Sequence, residues 1–276
     1  MATTANLPQS SSGRQYHIGC GPGDVHPNIL LVGDPARAHR IGKYFTTASA
    51  PICHREYVTI SGHYRDLPIS VMATGMGPDN TEIAIVEIMQ LVATPTFVRV
   101  GTSGALQDHI NIGDLVISSG AIRMENTSTA YVPEGYPAMA HPQVLLALLE
   151  SASQRGAKFH VGLTATGSGF YGAQGRHVPG FPPRRPEILD ELARVGACNF
   201  EMEASCLFTL ANLAGARAGC VCGAIAQRRA NQFVDDATKD ALEKLSIEVG
   251  LDALTLIARM DAKRGNAAHW LPSMGM

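Results

Sequence analysis

No run of 18 apolar residues occurs in the sequence, so no stretch of it reads as a membrane span. Neither sign of charge dominates: 22 Lys and Arg stand against 24 Asp and Glu. A formal net charge of −2 argues against nucleic acid or an anionic membrane surface as the main partner. The N-terminus has no apolar core of the kind a secretory signal needs. Residues 1–13, MATTANLPQSSSG, are polar and read as a disordered tail, ahead of a single domain over 14–276. The six cysteines contain no Cys-x-x-Cys, and the ten histidines contain no His-x-x-x-His. Neither a metal site nor a disulfide framework is therefore expected. Without a secretory signal the cysteines read as small buried hydrophobes in a reducing, cytoplasmic compartment. Cys220 and Cys222, two apart on an expected strand, should share one face.

What is present is a large core in a chain of 276 residues, 45% of them hydrophobic and 17% charged. A chain of this length buries roughly 75% of its unfolded surface and needs no staples. Ile29–Val32 reads as a buried strand, and Gly33-Asp34-Pro35 then opens a helix to about Phe45 with Arg37 in its first turn. Free N–H groups and the helix dipole at such a start suit an anion. Two strands, Tyr57–Ile60 and Ile69–Met72, precede the Gly-rich loop Thr74-Gly75-Met76-Gly77-Pro78. A helix from about Asp79 to Leu91 is apolar on most sides and should be largely buried. Strands follow at Leu115–Ile122, Val161–Thr166 and Ala218–Ala226. Helices are expected from Pro142 to the stop at Gly156, over Glu187–Val195, over Ala204–Leu213 and from about Ala237 to Met260. Residues 172–186, with three Gly and four Pro, form a long loop of the kind that makes a lid or binding loop. Alternating strands and helices imply an α/β fold on one central sheet.

Four stretches carry chemistry. Arg99-Val100-Gly101-Thr102-Ser103-Gly104 reads as a strand end that gathers a guanidinium, two hydroxyls and bare backbone at one point, which suits an oxyanion. Phe170-Tyr171-Gly172-Ala173-Gln174-Gly175-Arg176 offers an aromatic face for a planar ring. Gln174 matches a carbonyl beside an N–H, and Arg176 brings donors to a carbonyl gaining charge. In Asn199-Phe200-Glu201-Met202-Glu203, two carboxylates two residues apart on an extended segment face one way. That fits gripping adjacent sugar hydroxyls better than opposed acid/base work, with the methionine packing beneath the sugar. Ala226-Gln227-Arg228-Arg229 puts cationic donors at another strand end, where open α/β sheets bind ligands. Each stretch also has a plain reading: a Gly-rich turn, a solvated loop, helix-start acids, a basic turn.

Taken together and in order, these stretches resemble the nucleoside phosphorylase-I family. His17-Ile-Gly, Gly33-Asp34-Pro35-Ala36-Arg37, His54-Arg55-Glu56 and Asn111-Ile-Gly113-Asp114 add to the match, which runs from about His17 to Met260. The resemblance implies a three-layer αβα sandwich around a central mixed, partly barrelled sheet. It implies Gly33, Arg37, Arg99 and Thr102 as the phosphate cradle, with Arg55 reaching in from a neighbouring subunit. Met202, Glu203 and Thr102 hold ribose in that scheme, and His17, also from across a dimer interface, meets the 5′-hydroxyl. Phe170, Gln174 and Arg176 form the base pocket, with Arg228 as a further contact and Arg229 as the alternative to it.

The catalytic set would be Arg99, Glu203, Arg176 and Gln174. The implied reaction is phosphorolysis of uridine to uracil and ribose 1-phosphate in pyrimidine salvage, with no cofactor and no metal. The implied assembly is a dimer, or a hexamer of dimers. Purine-specific members carry an acid after the strand that ends at Ala226, where Gln227-Arg228 stand here. A purine nucleoside phosphorylase is the alternative enzyme, and a non-catalytic nucleoside or phosphate binder the alternative of another class. Gly172 stands where the family usually has proline, and the segment around Trp270 has no counterpart.

Overall fold

The computed structural model describes residues 4–276. Among these, eleven strands form one sheet. In chain order they are β1 (Asn28–Val32), β2 (Ile52–His54), β3 (Tyr57–Tyr64), β4 (Leu67–Ala73), β5 (Thr96–Ala105), β6 (Leu115–Met124), β7 (Ala138–Met139), β8 (Phe159–Gly167), β9 (Ala197–Glu201), β10 (Arg217–Gln227) and β11 (Gln232–Phe233). The helices are α1 (Pro35–Gly42), α2 (Pro78–Met89), α3 (Pro142–Gln154), α4 (Ile188–Arg194), α5 (Ala204–Leu213) and α6 (Asp236–Arg264).

The sheet is mixed. β4, β1, β5 and β10 run parallel as neighbours, while β5 also pairs antiparallel with β9. β9 continues through β8 and β6 back to β10, so five strands close into a ring. Alternation along the strands sends side chains to two cores. Leu30, Val32, Val98 and Val100 pack under α1, α3 and α6. Ile29, Leu31, Phe97, Cys220 and Cys222 pack under α2 and α5. The expected three-layer α/β sandwich on a partly barrelled sheet is the observed fold. Cys220 and Cys222 do share a face, with their sulfurs 3.6 Å apart.

Several local expectations are corrected. Arg99–Gly104 is the C-terminal part of β5, a strand end as expected, but its glycines make no turn, because the strand is paired on both sides up to Ala105: Gly101 lies opposite Cys222 and Gly104 opposite Phe200 and Ala226. The glycines serve close approach rather than a turn. A Cβ on Gly101 would stand 2.8 Å from Arg99 Nη2, and one on Gly104 2.5 Å from Arg228 Cγ. α2 is largely buried, as expected, with Pro78, Thr81, Ala84, Ile85, Glu87 and Ile88 inside, although Val86 is 36% exposed on its outer side. Of the residues read as a disordered tail, 1–3 lie outside the described ones. Gln9 pairs with Gln15 in an isolated bridge, and Gly13 N–H donates to Ser10 C=O, so structure begins before residue 14. After α6 the chain folds back, and Trp270 packs into the α1/α3/α6 core with Nε1 donating to Gly275 C=O.

Candidate active site

A cavity of about 440 Å³ opens where the parallel strands β1, β4, β5 and β10 reach their C-terminal ends. That is where open α/β sheets bind ligands, and the volume suits a small organic molecule. Gly33, Arg37, Arg99, Thr102, Phe170, Gln174, Arg176, Met202 and Glu203 line it together. Segments up to 170 residues apart in sequence thus converge as the motif reading required.

Arg99 forms the floor. Its side chain projects toward the α2/α5 layer and is 6% exposed. Nε donates to Glu201 Oε2 at 2.9 Å, and Nη2 pairs with Glu203 Oε2. Both bonds use one edge of the guanidinium, and Arg99 also lines the cavity. Burial alone would lower the Arg99 pKa, but Glu203 and Glu201 outweigh it and lift it well above the ordinary arginine value. Burial likewise pushes the Glu203 carboxyl up, and Arg99 only partly opposes this because it is shared with Glu201.

Glu203 is itself oriented. Its Oε1 accepts the Gly77 N–H at 2.7 Å, and Gly77 presents that N–H from φ 101°, a backbone region that favours glycine. Each carboxylate oxygen retains a lone pair for a further donor. The two acids do face one way, but they divide the work. Glu201 accepts from Thr166 Oγ1 at 2.6 Å, from Glu203 N–H and from Ala204 N–H, which makes it the cap of α5 and the support of Arg99. Glu203 faces the cavity.

Arg37 enters from the opposite layer. Nη1 donates to Val100 C=O at 3.3 Å, and Nη2 meets Glu243 Oε2 of α6 at 3.1 Å. Its Nε is buried without a hydrogen-bond partner among the described residues. At the start of α1, Asp34 is the cap, accepting Ala36 N–H at 2.9 Å, and Arg37 N–H bonds Asp34 C=O. Glu243, which also binds Arg40, escaped the sequence reading. It lies more than two hundred residues from Arg37, and nothing in its surroundings on α6 marks it.

The opposite wall is looser. Arg176 stacks on the Phe170 ring, with Cζ 3.9 Å from the centroid, and its Nε donates to Phe170 C=O. The two residues expected to hold a base are thus paired with each other. Gln174 is buried, and Arg228 Nη1 donates to its Oε1 at 3.0 Å, which leaves the Gln174 amide N–H groups for the cavity. Arg228 therefore stands behind Gln174, whereas Arg229 turns outward to Asp108 and Asp190. Burial, with Arg176 nearby, lowers the Arg228 pKa to about 10. Met76 of the Gly-rich loop, Ile225 of β10 and Phe233 of β11 also line the cavity; the last two carry no signal in the sequence, since single apolar residues on a strand read as core.

His17 and Arg55 are not among the residues lining the cavity of their own chain. His17 Nδ1 lies 2.6 Å from Glu87, and the Arg55 guanidinium sits over the Tyr16 ring at 5.2 Å. Arg55 has a φ of 54°.

The chain is similar to known proteins in sequence and in fold. A family model described as the phosphorylase superfamily matches residues 27–255. A uridine phosphorylase from Thermococcus kodakarensis is 44% identical over 277 residues, covering 98% of this chain and 97% of its own. A uridine phosphorylase from Treponema pallidum is 36% identical over 254 residues, covering 91% and 96%. The crystal structure of a uridine phosphorylase from Vibrio fischeri superposes with a TM-score of 0.81 at 28% identity, covering 90% of this chain and 99% of that one.

Proposed function

The chain belongs to the phosphorylase superfamily, and from that premise we infer that it catalyses the reversible phosphorolysis of uridine to uracil and ribose 1-phosphate, a pentosyl transfer in pyrimidine salvage. One observation carries the reading furthest: Arg99 is ion-paired through Nη2 to Glu203 inside the cavity. A phosphate held by the remaining face of Arg99 is then adjacent to a ribose held by Glu203.

The residues divide the reaction as follows. Arg37 and Arg99, with Gly33 and Thr102 beside them, bind phosphate beneath the sugar. Met202 packs under the ring, and the Glu203 carboxylate accepts from its hydroxyls. A phosphate oxygen forms the new bond to the anomeric carbon as the bond to the base nitrogen breaks, through a transition state with oxocarbenium character. The arginines supply alignment, which alone is worth several kcal/mol. The bonding pair leaves with uracil, and Gln174 and Arg176 stabilise the charge where it develops. Arg176 must then leave the Phe170 ring for the base, a side-chain movement within a Gly- and Pro-rich loop. Arg228 steadies Gln174 rather than meeting the base itself. A Gln–Arg pair in place of a carboxylate favours a pyrimidine over a purine.

The working assembly is a homo-oligomer in which His17 and Arg55 of one subunit complete the neighbour's site. Their position outside their own cavity supports this, as does the exposed Val86 on α2 near the His17–Glu87 pair. Six free cysteines support a reducing, cytoplasmic location. The test is uracil release from uridine, with and without inorganic phosphate, and with inosine as the control. Phosphate-dependent uracil release is expected; cleavage of inosine alone overturns the reading.

A further inference from the structure

Directly under the cavity floor two thiols lie side by side. Cys220 and Cys222 are both fully buried, in register with Arg99 and Gly101 of the neighbouring strand. Their sulfurs are 3.6 Å apart, and a Glu201 oxygen completes a triangle in which all three atoms lie within 4.8 Å of one another. A tetrahedral ion with metal–sulfur bonds of about 2.3 Å separates its two sulfurs by about 3.8 Å. The pair is therefore spaced for chelation. A disulfide would require the sulfurs to close to about 2.05 Å, on a strand held by pairing on both sides.

We propose that Cys220, Cys222 and Glu201 form a binding site for a thiophilic divalent cation of the zinc class, and that its occupancy inhibits the enzyme by drawing Glu201 away from Arg99. Binding forms two metal–sulfur bonds, and the two thiol protons leave to solvent. With both carboxylates ionised, the Arg99–Glu201–Glu203 cluster carries one net negative charge, and exchanging two protons for a divalent ion leaves that charge unchanged. The guanidinium of Arg99 is the cationic group facing the ion, and Glu201 and Glu203 are the anionic ones. Three protein ligands leave one corner of the tetrahedron for water. Access is short: Gly101 lines the cavity, and a Cβ there would stand 3.0 Å from Cys222 Sγ. The consequence follows from the bond at risk. Glu201 holds Nε of Arg99, so an oxygen turned toward a metal loosens the residue that aligns phosphate.

The test uses reduced, chelator-treated protein in a C53A background, because Cys53 is an exposed thiol. Cobalt(II) is the coloured probe and zinc the competitor. The expected result is a thiolate-to-cobalt absorption band that saturates at one ion per chain and is displaced by zinc. Saturating zinc should lower phosphorolysis about a hundredfold, the loss that follows from ~1 Å misplacement of an aligning group. C220A and C222A should each lose the band and the zinc sensitivity while turning over without metal. If either variant folds poorly, X-ray absorption at the zinc edge of the unsubstituted protein reads the same site as two sulfur ligands at about 2.3 Å. No thiolate band, or one that survives in both alanine variants, overturns the site. Occupancy without loss of turnover overturns its coupling to Arg99. The inhibition measurement rests on the phosphorolysis reading, whereas the absorption measurement does not, so the two failures are distinguishable.

Discussion

The two ends of the cavity are built on opposite plans. At the phosphate and ribose end the functional groups sit on or beside strands, are buried, and are each held by a second charged group: Arg99 by Glu201 and Glu203, Arg37 by Glu243. At the end proposed for the base, Phe170 and Arg176 sit on a loop and Phe233 on the short edge strand β11, Phe170 is 43% and Phe233 65% exposed, and a cation stacks on a ring. Buried, cross-braced ions cannot move without leaving a charge unpaired, so that end is preorganised. A surface cation–π contact is worth only about 0.5–1 kcal/mol, so that end can rearrange around a base. In the proposed reaction, alignment of the nucleophile is rigid and recognition of the leaving group is adaptable.

Substitutions can break this contrast, and the largest effect belongs to Arg99. R99A leaves Glu201 and Glu203 facing each other without a counter-charge, so it should cost about 3–5 kcal/mol of stability as well as turnover. R99K keeps a charge and separates the two effects. It should melt close to the unsubstituted protein while kcat falls about a hundredfold or more, since a point charge replaces a fork of donors. Wild-type-like turnover in R99K would refute the role of the floor arginine.

Next comes Glu203. E203Q should lower kcat/KM about a hundredfold, read in initial rates with uridine. Because burial holds the carboxyl above its ordinary value, the acid limb of kcat/KM should lie above the usual carboxylate range near 4.3, and E203Q should remove that limb. The sign for stability follows from the same shift. Between its unfolded and folded values the native state binds more protons, so this group's contribution to stability is present at low pH and is lost as pH rises through the folded value. A pH series of thermal melts comparing E203Q with the parent reads it.

A smaller effect is expected one step further out. E243Q frees Arg37 without touching substrate, so it should raise the KM for phosphate about tenfold and leave the KM for uridine unchanged. Equal shifts in both constants would show a general loosening instead. The smallest effect belongs to the adaptable end: F170L should change the KM for uridine by only a fewfold, about 1 kcal/mol at most, and leave the KM for phosphate alone.

Much of this was legible in the chain itself. The strands that start at Asn28, Leu115 and Arg217 and the helices at Pro78, Pro142 and Ala204 lie within a few residues of where apolar runs, prolines and glycines put them. Those signals are local and act through backbone freedom. The run Arg99–Gly104 is the strand end that its sequence suggests, but its glycines look like a turn and are not one. Their purpose depends on side chains that arrive from elsewhere, Cys222 and Arg228. The Arg37–Glu243 and Arg99–Glu201 pairs likewise span 206 and 102 positions, and no spacing rule reaches that far.

By itself, then, the order of residues determined the α/β class and which short segments carry cationic, carboxylate and aromatic groups, because propensity, periodicity and capping act within a few residues. The tertiary structure alone decided which acid grips and which braces, which of two adjacent arginines turns inward, and that two cysteines lie beneath the floor. Those outcomes depend on burial and on partners supplied by strands and helices distant in the chain, and only the closed sheet brings them together.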